Sequence, residues 1–432
     1  MPPVSLALVG AGARGAIYAS YALEHPDRAS IVAVAEPRAA WRESLARDHR
    51  LKPDQVYTDW REIAGRPRLA DAVVIATQDR LHADPAVAFA DLGYAIMLEK
   101  PMAPTLAECE RIVDAVRRNG NITAVCHFMR YVHFTKRIRQ IIDDGLVGDV
   151  ITVEHHHPVG WWHYAHGWVR GNWSVEALSS PMLVAKACHD IDWLQYILGA
   201  DCVAVSSFGS LTHFRAERKP AGAGDRCVSC DVEPDCPYSA VRIYGKWAEQ
   251  GETGWPLDVL TPNPNPSSIR EALETGPYGR CVYGLENDVI DHQVVSMLYD
   301  GGQTATLTMS AFNKDGGMMS RIYGTRGEIW INGGFGELRD GDWIMHEAVL
   351  RRFDFVTEQW YVETPFDLVD TKLTGHSNGD YHLVDHFVSA VANNDRSFIL
   401  TDFEETLKSH RTVFAAEESR RTGQTVQIAQ IA

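Results

Sequence analysis

The sequence predicts an α/β protein: an N-terminal doubly wound parallel sheet followed by an α+β domain built on a mostly antiparallel, open-faced sheet. Three observations carry this reading. Apolar runs at 6–9, 31–35, 72–76, 95–99 and 122–127 alternate with helical stretches, the pattern of βαβ units. The first run leads straight into Gly10-Ala11-Gly12-Ala13-Arg14-Gly15 and a helix. After about Arg130 the texture changes to alternating β segments, so two domains are expected, 1–126 and 127–432.

The Gly10–Gly15 turn sits between strand, helix, second strand and the acidic Glu36, which is the setting of a dinucleotide fingerprint. Gly10 permits the turn, Gly12 admits a pyrophosphate and Gly15 lets helix pack on strand. The backbone of Ala13 and Arg14 then opens a helix whose unpaired N–H groups face phosphate. Glu36 suits a ribose 2′-hydroxyl and repels a 2′-phosphate, so NAD is favoured over NADP, with Arg38 close by. Helices follow at 38–48, 84–92 and 106–119, the last opened by a Thr105/Glu108 capping box.

In the second half a helix at 134–144 ends at Gly145. Strand-like runs lie at 150–157, 203–212, 293–299, 303–311 and 321–331, with helices at 187–198, 381–393 and 403–421. The stretch 219–282, rich in Pro, Gly, Cys and Trp, reads as a structured insertion.

The chain has 432 residues, 45% of them apolar and 23% charged, with a formal charge of −16; this describes a globular protein without a basic nucleic-acid face. No apolar run reaches membrane-spanning length, and with the first strand beginning within about three residues of Met1 no signal peptide is expected. Eight cysteines in this length fit a reducing compartment, and a cytoplasmic location is expected.

Three constellations carry chemistry. Glu99-Lys100-Pro101 ends a strand beside the expected cofactor, so Lys100 would reach toward nicotinamide and substrate. Lys186-Ala187-Cys188-His189-Asp190-Ile191-Asp192 opens a helix with His189 and Asp192 on one face. The segment 161–173 holds four tryptophans with His163, His166 and Arg170; Trp161 and Trp162 could offer flat faces to a sugar ring. His155-His156-His157 is not read as a metal site, because only His155 and His157 share a strand face. Cys227, Cys230 and Cys236, with the distant Cys281, could hold a structural zinc; free thiols or one disulfide are the alternatives.

Together these features resemble the Gfo/Idh/MocA family of glucose-fructose oxidoreductase and inositol dehydrogenase type. The glycine loop, Thr77 with His82, Glu99-Lys100-Pro101, Gly145-Leu146-Val147-Gly148-Asp149, His189-x-x-Asp192 and Gly375-His376…Asp380 carry the resemblance. It implies an NAD-binding Rossmann domain (Thr77, His82, Glu99 and Lys100 joining the fingerprint residues), a sugar or polyol between the domains, and a homo-oligomer, dimer or tetramer. It also implies catalysis by Lys100 and His189, with Asp192 orienting His189 or a substrate hydroxyl. One departure stands out: the family places an Asp four residues before the His, where this chain has Ala185 beside Lys186. A cationic pocket of Lys186 with Arg170 or His166, holding an anionic sugar, is the expectation that follows.

The expected activity is hydride transfer between NAD and a sugar ring carbon, C3. The alternative is NAD-dependent glycoside hydrolysis through a transient 3-keto sugar, as in sulfoquinovosidases, with Tyr131, His166 or His292 as extra proton carriers. A non-catalytic NAD sensor or scaffold is the third reading.

Overall fold

A computed structural model describes residues 2–314, 316–333, 335–339, 342–346, 348–365, 367, 369, 371, 373 and 376–429. The N-terminal sheet holds β1 (Val4–Val9), β2 (Ala29–Ala35), β3 (Val56–Tyr57), β4 (Ala72–Ile75), β5 (Ala95–Leu98) and β6 (Thr123–Val125). All neighbours are parallel and the order is β3-β2-β1-β4-β5-β6, the doubly wound arrangement whose strand order reverses beside β1. Strands β1, β4 and β5 are buried almost throughout, which is why each reads as an unbroken apolar run. The two-residue β3 is too short to show any periodicity in sequence.

Thr105 caps the helix Leu106–Asn119 by accepting the Glu108 N–H at 3.3 Å. The capping box is half formed, because Glu108 takes the Thr105 hydroxyl (2.8 Å) rather than its backbone N–H.

The second sheet contains β7 (Val150–Pro158), β8 (Cys202–Ser210), β9 (His292–Tyr299), β10 (Thr304–Ser310), β11 (Met318–Gly324), β12 (Gly327–Gly333), β15 (Val349–Asp354), β16 (Gln359–Glu363) and β17 (Val426–Gln427). Between β12 and β15 lies a separate hairpin of β13 (Phe335–Arg339) and β14 (Asp342–His346). The order is β16-β15-β12-β11-β7-β10-β9-β8-β17, antiparallel except where β7 meets β10. The helices Met182–Leu198 and Phe403–Thr422 cover one face. On the other, Ile151, Phe208, Val294, Leu298 and Met319 are exposed.

The two sheets do not divide the chain cleanly at 126. Leu383, Val384, Phe387 and Val388 of the helix Gly379–Asn393 join the core on the face of the Rossmann sheet covered by the helix Ala13–Glu24, and Phe403 and Leu407 join the core on the other face. Residues 219–282 build a small helical core around Ile243, Tyr244, Trp247 and Leu273. Among the described residues, no helix is long and apolar enough to cross a membrane.

Candidate active site

The phosphate cradle is built from local constraints. Gly10 has φ +92°, and a Cβ there would lie 2.6 Å from the Ala76 carbonyl oxygen; one on Gly15 would lie 2.0 Å from the Gly10 oxygen. Gly12 precedes the helix Ala13–Glu24 with no side-chain cap and no acid in the first turn, so its N–H groups remain for an anion. Glu36 is buried, accepts the Ala11 N–H at 2.9 Å and is gripped by Arg38 Nε and Nη2 at 2.8 and 3.0 Å. Burial opposes its ionisation, but these donors outweigh it and hold the carboxyl below its usual value. The cradle therefore fits a dinucleotide, with Glu36 charged at the ribose end.

Three residues expected to touch the cofactor are used differently. His82 has both ring nitrogens on backbone carbonyls, Pro101 O at 2.8 Å and Thr77 O at 3.1 Å, so it braces the two turns against each other. Glu99 accepts Arg14 Nε (2.6 Å), the Tyr18 hydroxyl (2.8 Å) and the Lys100 N–H (2.6 Å), which makes it an internal anchor. The Arg14 side chain also grips Asp380 at 2.6 and 2.9 Å, leaving only its backbone to face a phosphate. His376 donates to the same Asp380 at 2.9 Å and stacks on Phe128; Gly375 of that motif lies outside the described residues.

Lys100 lies two residues past the end of β5 and crosses to the second domain, where its Nζ donates to the Ala185 carbonyl at 2.7 Å. The helix carrying Ala185 begins at Met182, five residues before the expected start, so Lys186 lies inside it rather than at its mouth. Lys186 reaches over the Trp168 ring (5.6 Å to the centroid), and burial together with the Lys100 charge brings it down to about 8.

His189 stands beside an acid, but not the expected one. Its Nε2 is 3.3 Å from Asp190, whereas Asp192 is taken by Arg130 (2.7 and 2.8 Å) and the Ser409 hydroxyl (3.0 Å). Asp192 therefore ties the helix to its neighbours and does not orient His189. Asp190 Oδ1 also accepts His155 Nε2 (2.7 Å) and His157 Nδ1 (2.9 Å), with His155 fixed in turn by Ser320. The strand alternation that puts His155 and His157 on one face thus aims both at one buried carboxylate. Burial, reinforced by Lys100, lowers the basicity of His189 well below the usual, against the pull of Asp190, so it is neutral at physiological pH.

His157, His189 and Asp190 each offer a buried ligand atom within 4.8 Å of the others, and His157 Nε2, His189 Nδ1 and Asp190 Oδ2 lack hydrogen-bond partners. Lys100 and Lys186 act on these same histidines, a field that opposes a dication and suits an anion or a polarised hydroxyl.

The aromatic segment divides its side chains between two tasks. It winds as a short helix, Trp161–Tyr164, and continues as a π-helical turn, Ala165–Arg170. Trp168 and His163 face Lys186; burial, then Lys186, lowers His163 well below its usual value. Trp161 packs on Tyr238 and Trp162 on Trp247, in the insertion rather than a sugar subsite. His166 bonds the Tyr244 hydroxyl and stacks on Tyr278; burial takes it to about 3, so it cannot be a cation there. Arg170 donates to the carbonyls of Arg280 and Tyr238. The cationic pocket therefore consists of Lys100 and Lys186, without His166 or Arg170. Tyr131 is buried on Leu400 and Thr401, and His292 pairs with Asp291, both apart from this group.

Sequence reasoning missed Asp190 and His157 as members of the site. The i, i+2 histidines were visible, but nothing local told which carboxylate they would meet.

Residues 4–127 match the GFO/IDH/MocA oxidoreductase family, described as an NAD-binding Rossmann fold, and residues 139–428 match its C-terminal alpha/beta domain. The chain belongs to this family. YteT of Bacillus subtilis (strain 168) is 26% identical over 266 residues, 61% of this chain and 60% of that protein. The 2,7-anhydro-N-acetylneuraminate hydratase of Mediterraneibacter gnavus is 28% identical over 208 residues, 46% of this chain and 50% of that protein. The chain thus spans about half to three-fifths of these relatives' lengths. A levoglucosan dehydrogenase in complex with NADH superposes with a TM-score of 0.69 at 18% identity, covering 99% of this chain and 100% of the other; at that identity the likeness is one of fold.

Proposed function

We propose that this oxidoreductase of the GFO/IDH/MocA family transfers a hydride between NAD and C3 of a sugar that carries an anionic group. The observation that carries the reading is the pair Lys100 and Lys186 beside neutral His189, with Ala185 where a carboxylate would have balanced the charge. Bound NAD would supply the carbon that takes or gives the hydride, held by the Gly10–Gly15 cradle and Glu36.

Lys100 donates a hydrogen bond to the reacting hydroxyl and stabilises the oxyanion that forms there. His189 takes that proton, and Asp190 stabilises the resulting imidazolium. Lys186 pairs with the anionic substituent. Neutralising Lys186 also raises the proton affinity of His189, so an anionic substrate improves its own base. The hydratase relative, whose named substrate is a sugar acid, supports the same charge preference.

A second reading is net hydrolysis of an anionic glycoside, the sulfoquinovoside class included. Oxidation at C3 acidifies the C2 hydrogen, a base removes it, the C1 group leaves, water adds and C3 is reduced again. His157 beside His189, with His163 near His157 and Lys186, favours this reading, since the cycle needs more than one proton carrier. The apolar open face of the second sheet supports assembly with further copies of the chain.

The test is incubation with NAD and a panel of anionic and neutral sugars and aryl glycosides, following NADH absorbance and released aglycone. Net oxidation gives lasting absorbance with anionic free sugars; the cycle gives aglycone at catalytic NAD. Neither signal, or undiminished activity in Lys100→Ala, overturns the proposal.

A further inference from the structure

The active site uses none of the four cysteines of the insertion. Cys227 opens the turn Cys227–Ser229 and Cys230 follows it, Cys236 follows the turn Glu233–Asp235, and Cys281 follows the bridge that pairs Arg226 with Arg280. All four are free thiols and all four line one small cavity. Thiols gain little from one another's company, so four of them around one space need a reason.

Two of the sulfurs accept hydrogen bonds. The Gly224 N–H donates to Cys230 Sγ at 3.3 Å, and Arg170 Nη2 donates to Cys227 Sγ at 3.5 Å. Arg170 is buried and has no carboxylate partner among the described residues; its remaining bonds go to neutral carbonyls, and Nη1 has none. A buried guanidinium in that state calls for a counter-charge; besides the four sulfurs, the cavity it lines holds a second cation, Arg226, and one carboxylate, Glu233, which is taken by the Ser239 hydroxyl.

We propose that Cys227, Cys230, Cys236 and Cys281 bind a zinc ion in a closed four-thiolate site that staples the insertion. The spacing is a C-x-x-C pair followed by two ligands from separate turns. Four thiolates on Zn²⁺ carry two net negative charges, which answer Arg170. A full ligand set leaves no open position, so the metal is structural and takes no part in the reaction. No three of these sulfurs meet within 4.8 Å, the one such trio among the described residues being His157, His189 and Asp190. Zinc would draw the sulfurs to about 3.8 Å apart, given Zn–S bonds of about 2.3 Å. The staple reaches the active site through Arg170 and His166, which root in the insertion the same π-helical turn that carries Trp168 under Lys186.

The test uses the reduced full-length chain, stripped with a chelator and titrated with Zn²⁺ against a chromophoric competitor. About one equivalent binds, and Co²⁺ in its place gives the visible spectrum of a tetrahedral thiolate site. Alkylation mapping shows zinc protecting Cys227, Cys230, Cys236 and Cys281 but not the other four. Cys230→Ser and Cys281→Ser each weaken zinc binding at least ~100-fold, while Cys109→Ala does not. The protection pattern decides the matter even if the serine variants fail to fold. Protection of other residues, unchanged zinc binding in Cys281→Ser, or a disulfide within the set in the freshly isolated protein overturns the proposal.

Discussion

Lys186 offers a test in which stability and function move in opposite directions. Its ordinary value of 10.5 falls to about 8 through burial and the neighbouring Lys100 charge, a difference worth about 3 kcal/mol at 1.36 kcal/mol per pH unit. Below pH 8 the ammonium is protonated in both folded and unfolded chains, and the folded state bears this whole cost. Between pH 8 and 10.5 the folded chain releases the proton while the unfolded chain keeps it, so stability rises with pH across that window. Lys186→Met, similar in length and uncharged, removes the cost. It should be more stable than wild type at pH 7 by up to about 3 kcal/mol, a margin that vanishes near pH 10.5. The function should suffer: a charge pair at 4 Å and an effective dielectric of 20 is worth about 4 kcal/mol before desolvation, so affinity for an anionic sugar should fall ~10- to 100-fold and that for a neutral one little. Urea unfolding at pH 7 and pH 10, with binding measured on both sugar types, makes the comparison. A variant that is destabilised at pH 7, or a stability difference that does not change with pH, refutes the assignment of a half-buried, desolvated ammonium without an ion-pair partner among the described residues.

Asp190→Asn keeps the shape of the side chain but removes the charge shared by His155, His157 and His189; kcat should fall ~100-fold, with a loss of about 3 kcal/mol of stability, read from steady-state rates and urea midpoints. Asp380 resists protonation because Arg14 and His376 outweigh its burial, so its contribution is complete above about pH 4 and lost as pH falls below that. Arg14→Met should therefore unfold at a higher pH than wild type in an acid titration followed by circular dichroism; coincident curves would remove the pair from the account. Phe208→Asp with Leu298→Asp, on the open face where these side chains are 69% and 43% exposed, should reduce the mass seen by light scattering to that of one chain. An unchanged mass would place any interface elsewhere.

Features set by neighbours in the chain were legible in advance. The Gly10–Gly15 turn depends on local φ and on contacts a Cβ would violate, the Thr105 cap on a residue three positions on, and the His155/His157 shared face on strand alternation. Helical spacing also put His189 and Asp192 on one side, but Arg130, distant in sequence, claimed Asp192 and left Asp190 to the histidines. A count of aromatics and cations in 161–173 signalled a wall, yet not which of its faces would meet the active site and which the insertion.

The amino-acid sequence by itself determined a Rossmann cradle, a second sheet and a lysine placed where the two meet, because each is written in short-range periodicity and backbone geometry. Tertiary structure alone decided the pairing of charges: which acid serves His189, that Lys186 pairs directly with none among the described residues, and that Arg170 turns toward sulfur. Such pairings depend on which distant elements the fold brings within a few ångströms of each other, and at that range burial and Coulomb energy outweigh any local preference.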